Sequence, residues 1–249
     1  MSHPTSADKL TAMRQGGLVL AKIRDELVTL TKPGVTFSQI EAWAVAKIKI
    51  AGMQESFSTV PGYPYATCVM KNDALCHGLP DSSVVLSGDL ITIDIGLKNQ
   101  GYHLDTSVSF PVGSVSAATR QFLAVGQKSL QNALDQVKDG ASVYDISYAM
   151  QEVVEKAGYG VVYQLTGHGI GLELHEKPAI PCVAQKRDKQ VLLTQGQTIA
   201  VEIMYTMGNP QLKIDSDGWT FRTVDGSLSA MFEQTVVVTK KGCEVLTQE

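Results

Sequence analysis

Four acids and one histidine carry the chemistry of this sequence: Asp94, Asp105, Glu202, Glu233 and His168. Two of the acids close copies of one pattern. Gly88-Asp-Leu-Ile-Thr-Ile-Asp94 runs from glycine through apolar residues to a carboxylate, and Gly196-Gln-Thr-Ile-Ala-Val-Glu202 does so at identical spacing. Each copy is followed by a further acid at the head of a β-rich run, Asp105-Thr-Ser-Val-Ser-Phe and Glu233-Gln-Thr-Val-Val-Val. Any one of these acids alone is read most simply as a strand-end carboxylate facing solvent or a salt bridge. Four at symmetric places, embedded in apolar runs, cannot all be buried without compensation, because an unpaired buried carboxylate costs several kcal/mol at least. A cation is the economical partner. Four carboxylates and an imidazole form a hard, oxygen-rich donor set that suits Mn, Fe(II), Co or a labile Zn, unlike the thiolate cages of structural zinc. Two ions held by shared carboxylates activate a bridging water and polarise a carbonyl, so metal-assisted hydrolysis is the implied reaction class.

The remaining histidines are sorted by their neighbours. His168 lies between glycines and can project its ring; His175, beside Glu176, reads as a second ligand or an acid behind the ligands. His77, in Cys76-His-Gly-Leu-Pro80, sits on a turn where it can meet substrate, His103 reads as structural, and His3 belongs to a terminus that frays. No G-x-x-x-x-G-K-[ST], G-x-S-x-G or H-E-x-x-H pattern offers a rival chemistry.

The elements that must position these groups are also duplicated. Lys32-Pro-Gly-Val-Thr-Phe-Ser-Gln-Ile40 aligns without gaps on Lys138-Asp-Gly-Ala-Ser-Val-Tyr-Asp-Ile146, and Ala51-Gly52 falls on Ala157-Gly158 in the same register. Thr36-x-x-Gln39 and Ser142-x-x-Asp145 are helix starts of the capping-box type. Apolar residues then recur at helical spacing, Ile40, Trp43, Ala44, Ile48 and Ala51 in one copy and Ile146, Ala149, Met150, Val153 and Ala157 in the other. Both helices should stop at their glycines. Earlier helices are expected over about 7–30 and 117–137. Asp94 and Asp105 suit neighbouring antiparallel strands joined by the turn Leu97-Lys-Asn-Gln-Gly101. Each half thus reads helix, helix, strands. The fold class is α+β, with helices on one side of a mainly antiparallel central sheet and the site on the other. The chain is expected to form a single catalytic domain over 1–249, with internal halves of about 1–113 and 114–249.

Composition narrows the setting. The chain has 249 residues, of which 18% are charged and 44% hydrophobic, with a formal net charge of −4, so no basic surface advertises nucleic-acid binding. Neither an apolar leader nor a stretch of the roughly 20 apolar residues a bilayer needs is present. Cys68, Cys76, Cys182 and Cys243 lack metal or disulfide spacing, which favours reduced thiols in a cytoplasmic protein.

These residues resemble the type I methionine aminopeptidases, members of the pita-bread fold group that includes aminopeptidase P, prolidase and creatinase. The likeness spans nearly the whole chain and rests on Gly62-Tyr-Pro64, Asn72-Asp-Ala-Leu-Cys-His-Gly78, Ile93-Asp-Ile95, Gly101-Tyr-His-Leu-Asp-Thr-Ser107, Gly167-His-Gly-Ile-Gly171, His175-Glu-x-Pro178, Glu202, Asp217-Gly-Trp-Thr220 and Leu228-Ser-Ala-Met-Phe-Glu233. It implies a pseudo-twofold fold and removal of initiator methionine by a hydroxide bridging two divalent ions. By the same resemblance Asp94 chelates one ion, Asp105 and Glu233 bridge both, and His168 with Glu202 hold the other. His77, His175 and Glu202 are implied as catalytic, with Tyr63, Cys68, His77, Leu174, His175 and Trp219 binding substrate. The partners implied are the N-terminal methionine of nascent chains near the ribosome, with no nucleic acid or membrane, and a monomeric state. Leu104, Leu174, Ile203 and Gln234 depart from the usual glycine, phenylalanine, proline and histidine, and none of the four removes a ligand.

Overall fold

The computed structural model describes residues 7–249, so His3 lies outside the described residues. Helices α1 (Ala7–Leu30) and α2 (Phe37–Ile50) lead into strands β1 (Gln54–Glu55), β2 (Thr67–Lys71), β3 (Ala74–Cys76), β4 (Leu90–Asn99) and β5 (Tyr102–Pro111). Helices α3 (Ala117–Leu134) and α4 (Val143–Lys156) open the second half and precede β6 (Gly160–Val161), β7 (Thr166–Gly169), β8 (Glu176–Pro181) and β9 (Thr198–Thr206). The chain closes with β10 (Leu212–Ile214), β11 (Phe221–Thr223), β12 (Ser229–Val238) and β13 (Cys243–Val245).

Both expected capping boxes form. Gln39 N–H donates to Thr36 Oγ1 at 3.2 Å while Thr36 N–H donates to Gln39 Oε1 at 2.8 Å, and Ser142 and Asp145 reproduce the exchange at 3.2 and 3.3 Å. Gly52 (φ +71°) and Gly158 (φ +80°) end α2 and α4 in the left-handed region, as their sequences predict. Helix α3 stops earlier than expected, at Leu134. There the Gln136 and Val137 N–H groups turn to the carbonyls three residues back, which tightens the chain out of the helix.

The large sheet runs β1-β4-β5-β12-β9-β7-β8, with β2 added to β4, β6 to β9 and β13 to β12; the pairings are antiparallel. Strands β4 and β5 meet in a two-residue turn rather than the five-residue one expected. Asn99 pairs with Tyr102, and Gln100 (φ +50°) and Gly101 (φ +90°) both take the positive φ of the hairpin turn whose twist matches the strands.

The helices cover one face of this sheet, and in each half a helical glycine permits the approach. A Cβ on Gly16 would meet Leu104 Cδ1 at 2.6 Å, and one on Gly126 would meet the Tyr205 hydroxyl at 2.3 Å. One polar group per half pins the contact: Asn99 Nδ2 donates to Ala12 O at 2.8 Å and Tyr205 Oη donates to Phe122 O at 2.6 Å. With this face buried under helices, strands alternate strictly between helix side and site side. A smaller sheet, β10-β11-β3, stands beside the site. Arg222 braces it, reaching Asp215 Oδ2 at 2.6 Å and Asp73 Oδ1 at 2.8 Å. Among the described residues no helix is long and apolar enough to cross a membrane.

Candidate metal centre and active site

Register assembles the site. Cys68 lies opposite Asp94, Asp94 opposite Ser107, Ser107 opposite Glu233 and Glu233 opposite Glu202, one continuous row across β2, β4, β5, β12 and β9. Directly opposed residues share a face, so all five side chains point away from the helices. Asp105 lies two residues from Ser107 along β5 and therefore joins them. His168 enters from β7, opposite Ala200. Its flanking glycines were expected to free the ring; the structure shows a second reason. A Cβ on Gly167 would meet Ala200 O at 2.6 Å and one on Gly169 would meet Lys177 O at 2.3 Å, so only glycine lets β8 and β9 close around the histidine.

The His168 ring is oriented by its own strand. Nδ1 lies 3.0 Å from Gly169 O, and since a carbonyl can only accept, Nδ1 carries the proton. Nε2 is left as a free lone pair, 3.9 Å from Asp105 Oδ2. Burial lowers the His168 pKa to about 4, which keeps the ring neutral and ligand-ready. The acids move the opposite way. Burial, then the charges of Asp105 and Glu202, raise Asp94 well above the usual range, and Glu233 is raised well above it by burial and by all three other acids. Asp105 rises to about 7 and Glu202 to about 8, burial being the first cause in both.

Donor atoms of Asp105, His168 and Glu233 lie within 4.8 Å of one another, with Asp94 and Glu202 flanking this tight set in the row. Asp94 Oδ1 and Asp105 Oδ1 are buried without a hydrogen-bond partner among the described residues. Like charges directly opposed in a sheet repel, and unpartnered buried carboxylate oxygens are rare. This donor set therefore fits a divalent cation, which would satisfy the orphaned oxygens and restore the acids to their ionised form.

The row opens into a cavity of about 560 Å³ lined by each substrate-binding residue expected from sequence: Tyr63, Cys68, His77, Leu174, His175 and Trp219. The Tyr63 and Trp219 rings meet edge to face at 5.1 Å, and Tyr63 Oη lies 3.1 Å from Cys68 Sγ. His77, held at φ +54°, packs edge-on against Phe221 of the small sheet at 5.6 Å, and His175 meets His168 at 4.5 Å. His103 is buried, its Nδ1 2.7 Å from Ser56 Oγ, and it does not line the cavity.

Sequence reasoning missed several wall residues. Met204 and Cys76 line the cavity; Met204 follows Glu202 at the strand period of two and could have been found that way. Phe57 and Val60 also line it, from a short 3₁₀ turn over Phe57–Thr59 that leaves no periodic signal.

Comparison with known proteins now decides the family. The model of metallopeptidase family M24 matches residues 11–240. The chain belongs to metallopeptidase family M24. Within it, the chain is 38% identical over 240 residues to methionine aminopeptidase 1 of Bacillus subtilis, covering 96% of both proteins. A solved methionine aminopeptidase of Thermotoga maritima superposes with a TM-score of 0.97 at 34% identity, covering 100% of each chain. The prolidase of Pyrococcus furiosus shares the fold alone, with a TM-score of 0.81, 20% identity and 65% of its length covered. These likenesses establish an M24 metallopeptidase of the methionine aminopeptidase group with the pita-bread fold.

Strand alternation also sorts the four departures from the family pattern. Leu104, Ile203 and Gln234 each adjoin a site acid along a strand and so point to the helix side. Leu104 faces Gly16, Ile203 lies opposite Phe232, and Gln234 accepts from Thr247 Oγ1. Leu174 alone of the four lines the cavity.

Proposed function

We propose that this M24 metallopeptidase hydrolyses the N-terminal methionine from peptides and newly made proteins in the cytoplasm, acting as a monomer on chains leaving the ribosome. The in-register row of acids opening into an apolar, sulfur-lined cavity carries this reading. Two divalent cations (Mn, Fe(II), Co or Zn) held by these residues would lower the pKa of a bound water toward about 7 and polarise the scissile carbonyl. Asp94 would hold one cation, His168 with Glu202 would hold the other, and Asp105 and Glu233 would serve both. The α-ammonium of the substrate finds its counter-charge among the acids. The unbranched methionine side chain packs between Tyr63, Cys68, Leu174 and Trp219, where its polarisable sulfur suits aromatic edges and a neutral thiol. His77 and His175, at the mouth, donate hydrogen bonds to the oxygen that gains charge at the carbonyl, and Glu202 carries the proton to the leaving amine.

The test is release of methionine from Met-Ala-Ser, beside Ala-Pro-Ala, after chelation and after adding Mn²⁺, Co²⁺, Fe²⁺ or Zn²⁺ singly. Methionine release that chelation abolishes and an added ion restores is expected. No release with any of the ions sinks the proposal, and cleavage of Ala-Pro-Ala in preference would transfer the site to X-Pro peptides.

A further inference from the structure

Ser107 stands in the middle of the row of acids and has no assigned task. It is 2% exposed, and its Oγ has no hydrogen-bond partner among the described residues. Ser109, two residues along the same face of β5, shows what such a hydroxyl ordinarily does. Its Oγ lies 2.6 Å from Thr92 Oγ1, donates to Met231 O at 2.9 Å and accepts from Met231 N–H at 2.9 Å. Thr106, facing the helices, is also engaged, donating to Glu233 O at 2.9 Å. Ser107 is therefore the one hydroxyl of this stretch left idle, and a buried hydroxyl with no partner is costly to keep.

Its neighbours explain what it waits for. Ser107 lies opposite Asp94 on one side and Glu233 on the other, and opposed Cβ atoms in such a sheet are about 4.5–5.5 Å apart. Of these two acids, Asp94 has its Oδ1 likewise buried without a hydrogen-bond partner among the described residues. With cations bound, each carboxylate would keep lone pairs that the ions do not use, and the Ser107 hydroxyl is the buried donor in register with both.

We propose that Ser107 is a positioning residue of the metal centre, its hydroxyl donating to the carboxylate of Asp94 or Glu233 and fixing that carboxylate in its ligating orientation. The proposal rests on the two-cation reading above. It gives Ser107→Ala opposite effects in the two states of the protein. Removing an idle hydroxyl leaves the metal-free fold as stable as before or slightly more so, whereas removing a donor behind a ligand weakens cation binding by roughly 10–100-fold.

The experiment is calorimetric titration of metal-free protein with Mn²⁺, paired with thermal unfolding of the metal-free state, for the unsubstituted chain, Ser107→Ala and Ser107→Thr. The expected result is at least tenfold weaker Mn²⁺ binding in Ser107→Ala with an unchanged or higher metal-free Tm, and recovery to within about threefold in Ser107→Thr, which keeps the hydroxyl. Weakening of one binding step points to Asp94 as the acceptor, and weakening of both to Glu233. Binding by Ser107→Ala within twofold of the unsubstituted chain overturns the proposal and leaves the metal reading standing. Weaker binding accompanied by a lower metal-free Tm also overturns it, since the hydroxyl then serves the fold. A failure of the unsubstituted chain to bind Mn²⁺ overturns the metal reading and this proposal together.

Discussion

The two halves of the molecule build the same ribbon and load it differently. In each, a glycine at positive φ, Gly88 or Gly196, leads a strand that ends its apolar run in an acid, and a helical glycine lets a helix lie on the reverse face. The outer neighbours diverge. Strand β2 sets Cys68 opposite Asp94, while β7 sets His168 opposite Ala200, whose small side chain leaves the imidazole free to reach toward Asp105. The connections diverge too. Strands β4 and β5 join through two residues, whereas β9 and β12 are separated by residues 207–228, which carry β10, β11 and Trp219. Duplication thus accounts for the scaffold and the paired acids. The His168 imidazole and the Trp219 ring that meets Tyr63 are additions of the second half alone.

Exchanging the two outer residues for alanine tests that division most severely. His168→Ala should lower kcat/KM for Met-Ala-Ser by about a thousandfold, roughly 4 kcal/mol of transition-state stabilisation, because a ligand and its orienting contact are lost together. Cys68→Ala should cost less than about tenfold, appearing mainly in KM, because burial keeps its thiol neutral and leaves it a wall residue. Comparable losses at the two positions would break the assignment of a ligand to the outer strand of the second half and a wall residue to that of the first.

Where the halves meet, the comparison has a signature in pH. Asp105 and Glu202, one from each half, have folded pKa values of about 7 and about 8, above the ordinary 3.8 and 4.5. Through that window the metal-free native state binds more protons than the unfolded chain, so the stability from these groups is complete below about pH 4 and is lost as pH rises through 7 and 8. The Tm of metal-free protein should fall by roughly 5–10 °C between pH 5 and pH 8, and saturating Mn²⁺ should reverse the fall. A metal-free Tm that rises over this range would show that the acids of the two halves do not crowd one another.

How much of this the sequence disclosed follows from how local each determinant is. The capping boxes at Thr36 and Ser142, the stops at Gly52 and Gly158, and the strands bearing Asp94 and Glu202 were legible because their causes lie within a few residues and occur twice. Asp94 and Asp105 could be placed on one face from the length of the intervening hairpin. The row through Ser107 could not be foreseen, since it depends on the pairing of β5 with β12 across more than a hundred residues. Phe57 and Val60 were hidden for another reason: a single 3₁₀ turn has no repeat to read. Leu104, Ile203 and Gln234 needed the strand boundaries before they could be placed, because adjacency to an acid along a strand puts a side chain on the opposite face.

Leu174 survives that sorting and gives the smallest and finest test. It is buried at 6% exposure on the second-half side of the cavity, facing a first-half wall that includes Phe57, Val60, Tyr63 and Cys68. A leucine here leaves more room than the larger ring usual at this position, so the cavity should admit branched first residues that a phenylalanine would exclude. Leu174→Phe should reduce kcat/KM for Leu-Ala-Ser relative to Met-Ala-Ser by about tenfold, within the roughly 1–3 kcal/mol that one or two carbon atoms in an apolar pocket can discriminate. Turnover of Met-Ala-Ser itself should stay within about threefold, since an unbranched side chain can thread a narrower slot. If both substrates fall together, Leu174 acts through the adjacent His175 instead of through the pocket, and the second half would then contribute positioning where the first contributes specificity.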